Sequence, residues 1–84
     1  MNKLLIFTGD TCSKCHTLKK YLASNPPKDV ELVYENTSKD ITLARQYNVR
    51  RLPSVFLLNE KNETVASITG EVSLASLKDI GVKF

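Results

Sequence analysis

Apolar positions change their spacing several times along the chain, and each change marks an element. Leu4, Leu5, Ile6 and Phe7 follow one another without helical spacing, so 3–7 reads as a buried strand ending near Thr8. Gly9-Asp10-Thr11 is a turn. From Ser13 the period lengthens. Cys15, Leu18, Tyr21 and Leu22 recur at three and four residues and put an apolar stripe on one helix face, with Lys14, Lys19 and Lys20 off it. Asn25-Pro26-Pro27 stops that helix. Val30, Leu32 and Tyr34 alternate with Glu31, Val33 and Glu35, which predicts a second strand over 30–35. Thr37 or Ser38 is the expected cap of a second helix running to Tyr47, with Ile41, Ala44, Arg45 and Tyr47 in its pattern. Asp40 then falls at the positive end of its dipole, and Asn48-Val49 ends it. Ser54 to Leu58 is a strong strand, Asn59 to Asn62 a turn, and Glu63 to Thr69 the returning strand of a hairpin. Gly70 breaks that strand, and Ser73 caps a last helix containing Leu74, Leu77 and Ile80.

The resulting order is β-α-β-α-β-β-α, an α/β chain. The first half calls for parallel pairing through right-handed crossovers, and the hairpin adds an antiparallel pair. The 84 residues suit a single domain, 1–84. Twelve Lys and Arg against nine Asp and Glu give +3, scattered and without interleaved aromatics. That pattern fits no nucleic-acid motif. No run of 18 apolar residues offers a membrane span. The first apolar run is too short for a signal peptide, so a cytoplasmic setting is expected. In a reducing compartment two close cysteines mean metal or redox chemistry, not a structural staple.

Those cysteines are Cys12 and Cys15, separated by Ser13 and Lys14. The pair falls where a strand hands over to a helix, with Cys12 near the N-cap and Cys15 inside the first turn. The unpaired N–H groups of a helix start favour an anion, so a thiolate at Cys12 is stabilised there. Lys14 and His16 add positive charge nearby. A free thiol has a pKa of about 8.5, and Cys-x-x-Cys motifs commonly lower it. The accessible Cys12 is then the nucleophile and Cys15 the resolving thiol. Alternatives stand beside this reading. Zinc needs four ligands, and His16 is the only other soft donor, so zinc would have to be shared between two copies. Cys-x-x-Cys-His also matches covalent haem attachment, but the chain has no second histidine and only Met1 as methionine.

With these motifs the chain resembles the thioredoxin/glutaredoxin family over nearly its full length. The match lies in Leu4–Phe7, in Cys12-Ser13-Lys14-Cys15 and in Leu52-Pro53-Ser54-Val55 entering the third strand. The resemblance implies a thioredoxin fold, with a central four-stranded mixed sheet flanked by helices. It also implies dithiol exchange through a redox-active Cys12–Cys15 disulfide. Pro53 would face the cysteines in the cis form, which only proline tolerates cheaply, at about 0.5–1 kcal/mol above trans. Leu52 would offer its backbone to substrate, and Lys14 would support the cysteines. Candidate contacts with substrate or glutathione are Thr11, Ser13, Arg50, Arg51, Gly70 and Glu71.

Departures from the family pattern shape the expectation. Typical thioredoxins place tryptophan before the first cysteine and Gly-Pro between the pair; here stand Thr11 and Ser13-Lys14. Their buried aspartate six residues before the nucleophile is Ile6 here, which leaves solvent or a carboxylate such as Asp10 to handle the resolving proton. Typical glutaredoxins carry Pro-Tyr between the cysteines and a Thr-Val-Pro loop, against Ser13-Lys14 and Arg51-Leu52-Pro53 here. Gly70-Glu71-Val72 matches the glutathione segment only in part. The expected partner is a protein disulfide, with ribonucleotide reductase as one example, and the expected state a monomer. Thioredoxin reductase or glutathione would return the electrons. The remaining alternative is a non-catalytic adaptor or metal-sharing dimer of the same fold.

Overall fold

Four consecutive apolar residues can all be buried only if their strand is covered on both faces. In the computed structural model, which describes all 84 residues, that strand is β1 (Asn2–Thr8), and Leu4 to Phe7 are all buried. The chain continues through α1 (Ser13–Ser24), β2 (Val30–Asn36), α2 (Thr42–Gln46), β3 (Ser54–Leu58), β4 (Thr64–Thr69) and α3 (Leu74–Asp79). The strands form one sheet in the order β2-β1-β3-β4. β1 pairs parallel with β2 and antiparallel with β3, and β3 pairs antiparallel with β4. The fold is the α/β thioredoxin fold with a four-stranded mixed sheet.

Alternation along β1 and β3 divides the core. Leu4, Ile6, Val55 and Leu57 meet Leu18 and Leu22 of α1 and Leu77 of α3 on one face. Leu5, Phe7 and Leu58 meet Ala44 of α2 on the other. α1 ends at Asn25, whose backbone N–H bonds to Tyr21 O at 2.8 Å. Ser73 caps α3 by accepting from Ser76 N at 3.1 Å, and Ser76 Oγ accepts from Ser73 N in return. Asn48, at φ +56°, ends α2, with Val49 N reaching back to Ala44 O at 2.9 Å.

Two expectations are corrected. The second helix begins at Thr42, not at Thr37 or Ser38. Both of those hydroxyls are committed elsewhere: Thr37 Oγ1 donates to Thr8 O at 2.9 Å, and Ser38 Oγ accepts from Asp10 N at 3.0 Å. Asp40 precedes the helix and accepts from Thr42 N at 2.9 Å, which holds its carboxyl below the usual range. Tyr21 is not part of the buried stripe. The stripe is Cys15, Leu18 and Leu22, while Tyr21 is 48% exposed and lines a groove between α1 and the Glu71–Ser73 segment.

Candidate active site

Strand register brings the site's loops together. Phe7 pairs with Ser54, Ser54 with Thr69, and Thr8 with Asn36. The turn after β1, the loop before β3 and the loop after β4 therefore emerge at one end of the sheet. Cys12, Pro53 and Gly70 sit on these three loops in that order.

Cys12 is the N-cap of α1 in extended conformation. Its Sγ stands where a capping oxygen usually stands and accepts from Cys15 N at 3.2 Å. Its own N–H donates to Gly9 O at 3.3 Å, and its carbonyl accepts from His16 N at 3.2 Å. Cys12 and Cys15 are disulfide-bonded, with Cα atoms 5.2 Å apart. Their burial differs: Cys12 is half-buried, whereas Cys15 is 1% exposed. An incoming sulfur therefore reaches Cys12 and not Cys15. A charged sulfur at Cys12 keeps the helix N–H and the positive end of the dipole, and hydrogen bonds to charged groups contribute about 1.5–3 kcal/mol.

Around the pair, each candidate takes a definite position. Lys14 Nζ is 3.2 Å from Glu71 Oε1, an exposed ion pair that ties the start of α1 to the loop after β4. Lys14 is thus compensated, and its charge is shared with Glu71. Thr11 and Ser13 are exposed, and Ser13 O accepts from Thr17 Oγ1 at 3.1 Å. His16 Nε2 lies 3.2 Å from Asp10 O, on the turn itself. The Asp10 carboxylate accepts from Asn36 Nδ2 at 2.7 Å. Ile6 is fully buried in the core, and the buried polar residues of the chain are Thr8 and Ser54. No carboxylate is buried beside Cys15.

The Leu52–Pro53 peptide bond is cis, and Pro53 is buried. Pro53 O accepts from Gly70 N at 3.0 Å, which joins two of the three loops. The N–H and C=O of Leu52 make no hydrogen bond within the chain. Ser54 Oγ lies 2.9 Å from Thr69 Oγ1 and fixes the start of β3 just behind the proline. Gly70 adopts φ +89°, and a Cβ there would lie 3.7 Å from Arg51 Cδ, so the Arg51 side chain runs over it. Arg50 and Arg51 are exposed and belong to neither of the chain's two ion pairs.

One residue of the site was legible in the sequence only as a turn. Gly9 is buried, and a Cβ on it would come within 2.9 Å of Leu52 Cδ1. The bare backbone of Gly9 lets the cysteine turn and the cis-proline loop touch. Its place three residues before Cys12 was visible, but its partner 43 positions away was not.

The fold and the Cys12–Cys15 disulfide agree with what the comparisons find. The model of the thioredoxin-like domain matches residues 2–84. A thioredoxin from Trichomonas vaginalis superposes with a TM-score of 0.79 at 27% identity, covering 94% of this chain and 76% of that one. A thioredoxin variant from Halobacterium salinarum gives 0.78 at 27%, covering 94% and 70%. A malarial protein gives 0.77 at 25%, covering 95% and 92%. Among curated proteins none matches by sequence. With the family model spanning all but the first residue, the chain belongs to the thioredoxin-like domain family.

Proposed function

We propose that this thiol–disulfide oxidoreductase works as a reductant of protein disulfides. The observation that carries the reading is the unequal burial of the two cysteines, with the half-buried sulfur capped by the helix N–H. In the reduced protein, Cys12 thiolate attacks one sulfur of a substrate disulfide. A Cys12–substrate bond forms, the substrate S–S bond breaks, and the first substrate thiolate leaves. Cys15 then gives up its proton and attacks Cys12 Sγ. The second substrate thiolate leaves, and the Cys12–Cys15 bond is restored. Two electrons pass from the cysteine pair to the substrate, and the two substrate thiolates take up protons. Leu52, with a free backbone N–H and C=O, holds an extended substrate segment against the site.

Returning the two electrons needs an external donor. One feature supports thioredoxin reductase over glutathione. Two similar structures named as thioredoxins each share 27% identity with this chain. The test is a pair of variants in an NADPH-coupled assay run with each donor. Cys12→Ser abolishes reduction, and Cys15→Ser accumulates a mixed disulfide at Cys12, seen by mass spectrometry. Unchanged turnover in Cys12→Ser overturns the mechanism, and regeneration by glutathione alone overturns the choice of donor.

A further inference from the structure

A second open surface lies on the α2 side of the sheet. A groove of about 390 Å³ runs along β4 beside the cis-proline loop. Tyr47, Val49 and Phe56 give it apolar walls, and Ser67 and Thr69 give it hydroxyls. It stays open because α2 is only five residues long and β4 is the edge of the sheet. Arg50 and Arg51 line it, and no acidic residue does. The contrast with the other side of the cysteines is sharp. There Lys14 is answered by Glu71, whereas Arg50 and Arg51 have no acidic partner.

Uncompensated guanidinium groups beside a free backbone define a chemistry. Arg51 immediately precedes Leu52, the residue whose N–H and C=O are unpaired. An extended segment advances about 3.3 Å per residue, so one paired to Leu52 carries its neighbouring side chains past both arginines. Guanidinium binds carboxylate in a planar two-point fork, which a solvated lysine does not reproduce. We propose that the groove selects substrates whose target cysteine is flanked, within about three residues, by aspartate or glutamate. Arg50 and Arg51 receive those carboxylates, and the apolar walls seat an adjoining side chain. This specificity rests on the disulfide-exchange reading above.

The test compares two disulfide-linked peptide substrates, identical except for glutamate or lysine beside the target cysteine. At low salt the wild-type protein favours the glutamate peptide by about tenfold in kcat/KM, mostly through KM, as expected for electrostatic complementarity. The ratio falls to within about twofold in the Arg50→Gln, Arg51→Gln double variant, and in the wild type as salt shortens the screening length. A double lysine variant keeps part of the preference. Because the readout is a ratio within each protein, a loss of folded material cancels. Equal rates for the two peptides in the wild type overturn the proposal, as does a preference insensitive to both salt and the glutamine variant. A third disulfide-linked peptide, with alanine beside the target cysteine, separates the two readings. Wild-type turnover of it with no peptide preference overturns the specificity alone, whereas no turnover of it overturns the function and the specificity together.

Discussion

The two faces of the sheet are built to different depths. On one, eight buried residues lock α1 and α3 onto β1 and β3, with Val30, Leu32 and Tyr34 of β2 packed at the margin. On the other, Leu5, Phe7 and Leu58 lie under a five-residue helix that adds only Ala44 to the buried set. There much of the contact is aromatic, with Phe7, Tyr47 and Phe56 at centroid distances of 4.9–5.7 Å. The deep face carries the helix whose N-cap, Cys12, holds the reactive sulfur in place. The shallow face leaves the edge of β4 and the arginine loop uncovered. The exchange chemistry draws on the first and the proposed substrate groove on the second.

The largest way to break this comparison is to remove the same side chain from each face. Leu22→Ala empties a site that is 1% exposed, and such changes cost about 2–5 kcal/mol when the cavity cannot collapse. Leu43→Ala removes a half-buried side chain beside the second cluster and is expected to cost about 1 kcal/mol. Urea unfolding of both variants measures the difference. Equal losses would mean that α2 is held as firmly as α1 and that the shallow face is shallow in name only.

A smaller effect is expected where the two faces meet the site. Gly9→Ala pushes a methyl to within 2.9 Å of the end of the Leu52 side chain. Leu52 is packed against the second cluster and can give way, so the stability cost is about 1–3 kcal/mol, typical of one added methyl in a close contact. The functional effect is more telling. Displacing Leu52 should raise KM for a disulfide peptide while leaving the alkylation rate of Cys12 by iodoacetamide nearly unchanged. A fall in the alkylation rate alongside the rise in KM would show that the turn, and not the proline loop, absorbs the strain.

Most of the deep face was legible because its signals are local. The run Leu4–Phe7, the spacing of Cys15, Leu18 and Leu22, and the capping Ser73 each act within a few residues. Cys12 as a helix cap was legible for the same reason. What escaped was long-range. Thr37 and Ser38 look like helix caps by sequence, yet their hydroxyls are taken by Thr8 and Asp10, nearly 30 residues earlier. Tyr21 fits the apolar spacing, yet it borders a groove formed with a segment 50 residues later. Lys14 likewise has a partner that no local signal shows, Glu71, 57 residues on. Side chains that could be satisfied locally were read from the sequence; those claimed by a distant loop were not.

The smallest expected effect tests whether the faces respond to pH separately. Asp40 accepts from Thr42 at the start of α2, and that hydrogen bond lowers its pKa. A carboxyl lowered by folding contributes stability above its unfolded pKa, and the contribution is lost as pH falls through the folded value. Acid should therefore loosen the shallow face first, through the start of α2. Tyr34 behaves in the opposite sense. It packs at the margin of the deep face, under Lys19 at 4.8 Å, and burial raises its pKa. A phenol raised by folding contributes stability below its unfolded pKa, about 10, and loses it as pH rises through the folded value. Alkali should loosen β2 against α1 while α2 holds. Amide-resolved NMR across an acid and an alkaline titration reads both ends. The two regions respond in the stated order if the faces are separate units, and Asp40→Asn removes the acid response alone. Simultaneous loss of both faces at either extreme would show that the sheet transmits the change and that the two halves of the core unfold as one.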